Sequence, residues 1–205
     1  MTNRRNLLLT SAAAAALGRL APARAESAEQ AAGFVRHFAD RLVAIVNGPG
    51  TATEKRRKLT ELLEPSVDVD GIARFCLGRH WHEASPEQQR NYVKLFHQML
   101  TANVAAKFGE YQGVSYSTQG RARVEDDLES VPTVVYRPNN PPTNVNWIVA
   151  RDTGSMKIVD VEGEGTSLRL TQRSDFASFL THHKNSIDAL INELRREVAE
   201  ATIID

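Results

Sequence analysis

The spacing of apolar residues changes period twice along this 205-residue chain. It is helical as far as about Phe108, alternates with period two from Val114 to Val161, and is helical again from Arg173. A 3.6-residue period turns one stripe of side chains toward a core, whereas a two-residue period turns every second side chain there. Strands grouped between two groups of helices predict an α+β domain, not an alternating α/β one. The expected sheet is twisted, mostly antiparallel and of about five strands, packed by N- and C-terminal helices.

Local chemistry marks the elements. Phe34, Phe38, Leu42, Ile45 and Val46 recur at helical spacing behind Ser27-x-x-Gln30, a capping-box pattern, and Asn47-Gly48-Pro49-Gly50 stops that helix. Thr51-x-x-Glu54 caps a second helix, predicted to end before Pro65. Its Lys55-Arg56-Arg57-Lys58 run reads as a solvated face. Val67–Leu77 reads as a short helix broken at Gly78. Ser85-Pro86-Glu87-Gln88 opens a long helix with Tyr92, Phe96, Met99, Leu100 and Val104 on one side. Strands are expected at 114–117, 121–124, 131–136, 145–150 and 156–161, and closing helices at about Arg173–His183 and from Ser186.

The first 25 residues pattern as a cleaved export signal, ahead of a single domain over residues 26–200. Arg4 and Arg5 precede the apolar stretch Asn6–Leu17, and Ala23-Arg24-Ala25 is an A-x-A cleavage site. Both a twin-arginine and a general secretory route fit. The apolar run is shorter than the ~20 residues that span a bilayer. The expected location is therefore the periplasm. The leader takes Arg4, Arg5, Arg19 and Arg24 from 25 basic residues and none from 25 acidic ones, leaving a net charge of −4. That balance argues against nucleic acid, or anionic lipid surfaces, as main partners. Cys76 is the one cysteine, so packing and not an intrachain disulfide must hold the fold. Between Phe75 and Leu77 it reads as a small buried hydrophobe.

Catalytic and metal chemistry finds little support. His80, His82, His97 and Glu83 lack ligand spacing on a helix, and Asp68-x-Asp70-Gly71 lacks the rest of a calcium loop. There is no G-x-S-x-G, P-loop or C-x-x-C, so no cofactor is expected. An enzyme would need an acid in an apolar pocket, for which Asp160 and Asp175 are the candidates. Asp160 alternates with Ile158 and is read as sharing its face.

Several motifs arrive in a recognisable order. Leu77-Gly78-Arg79-His80-Trp81 and Ala84-Ser85-Pro86-Glu87-Gln88-Gln89 precede the long aromatic helix. Trp147-Ile148-Val149, Lys157–Val161, Glu164–Leu168, Arg173-Ser174-Asp175-Phe176 and Ile187–Ile191 follow. Over about Phe34–Leu194 the chain resembles the MlaC, or toluene-tolerance, family, which includes a hopanoid-associated branch. It departs from the family at Lys184-Asn185-Ser186, where relatives carry a glycine pair, and at His80, where they carry Tyr or Phe.

The resemblance implies a monomeric, non-enzymatic periplasmic shuttle. Such proteins carry phospholipid between an outer-membrane lipoprotein complex and an inner-membrane ABC transport complex. The alternative ligand is a hopanoid-type lipid. The implied fold encloses an apolar cavity between sheet and helices. Lining candidates are Phe75, Trp81, Tyr92, Phe96, Met99, Leu100 and Val104 from helices, and Val134, Tyr136, Trp147, Val149, Ile158 and Val161 from strands. Arg79 and Arg173 are expected to tie helix to sheet through a carboxylate or to approach a lipid phosphate.

Overall fold

Three long strands carry the sheet: β3 (Leu128–Tyr136), β4 (Thr143–Asp152) and β5 (Ser155–Gly163). They form the expected antiparallel meander in a computed structural model that describes residues 20–120, 122–125, 127–152 and 155–203. Two short strands, β1 (Ser115–Thr118) and β2 (Arg123–Glu125), share the free edge of β3. The other edge, on β5, is covered by β6 (Thr166–Ser167) and by a single parallel bridge from Val67 to Ile158.

Among the described residues, seven helices complete the α+β fold: α1 (Leu20–Asn47), α2 (Ala52–Ser66), α3 (Val69–Leu77), α4 (His80–Glu83), α5 (Pro86–Ala106), α6 (Leu168–His182) and α7 (Ile187–Ile203). Helices α1, α2, α3 and α6 lie against the strands, and α5 with α7 forms an outer layer over them. The Thr51 and Ser85 capping boxes are both complete, with Glu54 and Gln88 returning a bond to the cap backbone. Asp68 caps α3 by accepting from Gly71 N at 2.9 Å. A side chain at residue 71 would meet that carboxylate, since a Cβ there falls 2.0 Å from Oδ2.

The structure corrects four boundaries. Helix α2 runs through Pro65, because Val67 N still reaches Leu63 O and Lys157 Nζ takes up the Pro65 carbonyl at 2.7 Å. Helix α1 continues upstream of Ser27, whose hydroxyl donates to Glu129 instead of capping. Helix α3 starts at Val69, behind its cap. Helix α6 starts at Leu168, capped by Ser167, well ahead of Arg173. Its first turn is invisible to periodicity because Leu168 and Leu170 are both exposed. The basic run on α2 is only partly a solvated face. Lys55 Nζ bonds Val46 O and an Arg56 amine bonds Ala201 O, tying α2 to α1 and α7. The export-signal pattern at residues 1–19, and Arg121 of the expected second strand, lie outside the described residues.

Lys184 and Asn185 take φ values of +55° and +58° in the turn before α7. Asparagine tolerates that region, but a lysine pays its Cβ penalty, ~1–2 kcal/mol, partly offset by its lower unfolded-state entropy. Lys184→Gly is expected to raise stability by about 0.5–1 kcal/mol in urea unfolding, with an unchanged m-value.

Candidate functional site

The meander turns one face toward the helices. Register places Val131, Trp147 and Val161 side by side on it, with Val149 paired to Ile158 one step along. A register shift beside Val159 inserts an extra residue in β5, so Ile158 and Val161 face inward together. The same bulge turns Asp160 away, paired with Ile148, which corrects the reading that it shares the face of Ile158. Val134 and Tyr136 also prove to lie on the opposite face, Tyr136 with its hydroxyl 3.4 Å from Ser117 Oγ. Their inward neighbours are Glu129, Val131 and Thr133. A threonine suits that position because its hydroxyl donates to Val145 O and accepts from Trp147 Nε1, both at 3.0 Å.

The helical candidates separate. Tyr92 and Phe96 meet each other in a tilted contact at 5.9 Å and meet Phe176 edge-on at 6.1 and 6.2 Å, and Met99 is also buried. Together with Val149 and Ile158 these side chains are packed core in this state, not the wall of a void. Burial raises the Tyr92 phenol, whose hydroxyl donates to Ala73 O at 2.8 Å. Leu100 instead lines a cleft of about 440 Å³ between α2, α5 and α7, with Arg56, Lys94 and His97. A second cleft of about 400 Å³, between α5, α6 and α7, has Met99, Phe176 and Phe179 on its floor and Asp175, Glu193 and Glu197 on its rim. Partial burial, with Glu193 adding repulsion, raises the Glu197 carboxyl. Phe75, Trp81 and Val104 are half-buried.

Beneath α1 the apolar cover is incomplete. Phe34, Leu42 and Ile45 of this helix pack on the core while remaining half-exposed, as do Trp147, Val161, Val104 and Phe108. Phe38 meets Trp147 edge-on, with centroids 5.5 Å apart. Ala31, Val35 and Phe38 seat α1 in the core, and polar ties to the strands add to that. Tyr116 Oη lies 2.7 Å from Asp40 Oδ1, Asn47 bonds Val114 O and Gly113 N, and Arg151 bonds Gln30. Glu129, buried on the inward face, has Ser27 on Oε1 while Oε2 has no partner among the described residues. None of these ties was legible in the sequence, because each joins residues far apart along the chain.

The candidate acid of an enzyme reading is fully engaged. Asp160 Oδ1 accepts from Val161 N at 2.8 Å and Arg169 N at 3.2 Å, and Oδ2 accepts from Ser167 Oγ at 2.5 Å. Arg169 Nε lies 3.2 Å from Oδ2. Arg169, and not Arg173 or Arg79, is therefore the arginine that ties helix to sheet. Arg173 donates to Phe75 O, and both guanidiniums lie over the Phe75 ring at 4.7 and 4.8 Å. Burial pushes the Cys76 thiol up to about 12, with Asp160 adding repulsion, so it is a poor nucleophile. His80 pairs with Glu83 at 2.6 Å and His97 with Asp70 at 2.7 Å. Among the described residues no group of three or more His, Cys, Asp or Glu could hold a metal ion.

Comparison with known proteins decides the family. The profile described as MlaC protein matches residues 36–196. The chain belongs to the MlaC family. The search of solved structures finds the phospholipid-binding protein from Ralstonia solanacearum, determined in complex with a phospholipid. It superposes with a TM-score of 0.73 and 20% identity, over 83% of this chain and 97% of that one. At that identity the likeness establishes the shared fold. No curated protein matches the chain. Within the family frame, Leu77-Gly78-Arg79 ends α3 and enters α4, and Gly78 takes φ +60° with the Arg173 guanidinium against it, 3.2 Å from where a Cβ would stand. Among the described residues, no helix of this MlaC protein is long and apolar enough to cross a membrane.

Two measurements check this chemistry. Asp160→Ala leaves Arg169 and three donors without their acceptor and is expected to cost ~3–5 kcal/mol in chemical unfolding. Cys76 is expected to stay silent toward a thiol reagent at pH 8 in the folded protein and to react fully in denaturant.

Proposed function

We propose that this protein binds phospholipid in the periplasm and carries it between an outer-membrane lipoprotein complex and an inner-membrane ABC transport complex. Membership of the MlaC family supports the reading, as does the phospholipid held by the Ralstonia solanacearum protein of the same fold. The export-signal pattern at the N-terminus supports the compartment. The observation in this chain that carries the proposal is the half-covered apolar layer beneath α1.

Phe34, Leu42 and Ile45 on α1, and Trp147 and Val161 on the strands, are apolar side chains packed on the core without being fully buried. Ala31, Val35, Phe38 and Val46 of α1 are buried, so lipid entry is a local loosening along the partly exposed residues of this helix and not its parting from the sheet. Acyl chains entering there would complete the burial that α1 leaves unfinished. In this reading Trp147, Val161 and Val104 face the chains, whereas Tyr92, Phe96, Met99, Val149 and Ile158 support that surface from behind. Transfer is by exchange. Each CH₂ is worth ~0.8 kcal/mol on leaving water, but a bilayer already buries it, so handover between bilayer and protein is near balance while escape into water is blocked. The protein needs no chemistry of its own for that step.

Native mass spectrometry of protein purified from its own periplasm is the test. A bound lipid of phospholipid mass is the expected result, a hopanoid-type mass would redirect the specificity, and protein that neither carries nor extracts lipid from vesicles would refute the carrier. Leu42→Asp, which sets a charge against the chains, is expected to lower co-purified lipid ~tenfold or more with a folded circular dichroism spectrum. Phe96→Asp, by contrast, is expected to unfold the core.

A further inference from the structure

We propose that the N-terminal end of α6 docks the protein on an anionic phospholipid bilayer. Leu168 and Leu170 are 57% and 56% exposed, both in the first turn of this helix. Helical side chains lean toward the N-terminus, so the two leucines crown the tip of the helix, just past β6. On the side facing α3, Arg169 and Arg173 bracket Phe75 at 4.7 and 4.8 Å. Arg173 also lies against Gly78, next to exposed Arg79.

On the α3 side of this tip the charges are not balanced, whereas Glu162 and Glu164, on the hairpin that leads into α6, accept from Asn146 and from Asn144 N. Asp160 is buried and takes up Arg169. Among the described residues no carboxylate stands in ion-pair range of Arg173 or Arg79. The first turn of α6 contains no acid, so the positive end of the helix adds to the same sign. The acids further along, Asp175 with Glu193 and Glu197 of α7, line the cleft on the α5 side instead. The mildly negative average charge, which argued against anionic surfaces, is thus divided into an acidic groove and a basic, apolar tip. A field set by local charge, not by the net, governs docking at close range.

A bilayer fits this combination better than a free anion does. Phosphates would pair with the guanidiniums while the leucines sink to the headgroup–acyl boundary. A small anion would leave both leucines in water. Docking is separable from holding a lipid under α1, so the two proposals stand or fall independently.

The test is sedimentation with vesicles, with co-purified lipid mass measured on the same preparations. Wild-type protein is expected to bind phosphatidylglycerol-containing vesicles ~tenfold more than pure phosphatidylcholine, and to release them at high salt. Leu168→Asp/Leu170→Asp is expected to cut that binding ~tenfold or more. Acids at a helix start favour the helix, so the variant keeps its fold. Arg79→Glu is expected to lower binding at low salt and leave the high-salt residue unchanged. Wild-type binding retained in the double-leucine variant, or no preference for the anionic vesicles, would overturn the inference. Protein loaded with lipid yet indifferent to vesicles would also overturn it, leaving the carrier reading intact. Vesicle binding by lipid-free protein would support it and leave the carrier reading to the lipid measurement.

Discussion

Val131, Val149 and Ile158 lie together on the inward face of the three long strands, and the helical layers are built outward from them. With a single cysteine, no disulfide within the chain can stand in for that contact. Each of these side chains is worth ~1.5–3 kcal/mol when fully buried, comparable in sum to the whole net stability of a domain this size. Leu59 and Leu62 of α2, Ala73 of α3 and Phe176 and Leu180 of α6 join the same cluster, and α5 with α7 closes it through Tyr92, Phe96, Leu190 and Leu194. Remove the sheet face and these helices lose the surface that sets their directions.

Asp160 extends that constraint to the polar parts of the fold. The bulge beside Val159 turns it off the inward face, toward the start of α6. There it receives Ser167, the cap of that helix, and Arg169. Arg169 and Arg173 then hold the Phe75 ring, which fixes the end of α3 and the Gly78 turn. One backbone irregularity in a strand therefore positions two helices and an arginine pair. Cys76, within reach of the Arg169 carbonyl at 3.5 Å, is shielded by the same arrangement.

Most of the fold was legible where the chemistry is local. The Thr51 and Ser85 boxes are closed by residues three positions away, and the meander is announced by alternation broken at turn residues. What was not legible depends on partners distant in sequence. Val134-Val135-Tyr136 is apolar at every position, so alternation could not say which residues face inward, and Thr133 faces there because Val145 and Trp147 satisfy its hydroxyl. A one-residue bulge reverses face parity, which hid the orientation of Asp160. Pro65 sits in the last turn of α2, where its missing N–H costs the helix only the bond to Glu61 O, and Lys157 from a strand donates to the Pro65 carbonyl, one of the helix-end acceptors. The Ser27 pattern looked like a cap, but the upstream residues are helical and the hydroxyl serves Glu129. The candidate site split along the same line, with aromatic helix residues read as lining turning out to be core, and half-exposed residues of α1 going unremarked.

That split bears on how a carrier of this fold would work. A dry void lined by Tyr92, Phe96 and Ile158 would forfeit dispersion contacts on every wall, and cavities of that sort cost ~24 cal/mol per Å³. A protein that must exist both empty and loaded does better to keep those residues packed and let the ligand compete only for contacts that are incomplete to begin with. The side chains under α1 meet that requirement: they are apolar, continuous with the core and short of full burial. The helix over the sheet is seated by buried Ala31, Val35 and Phe38, with hydrogen bonds from Tyr116, Asn47 and Arg151 around that seat. Loading then adds acyl contacts along the partly exposed residues, and unloading removes them, without opening the cluster that holds the fold together. Reversibility of this kind is what near-balanced handover demands, since a site that gained its full hydrophobic free energy on loading would release its lipid too slowly to carry it anywhere.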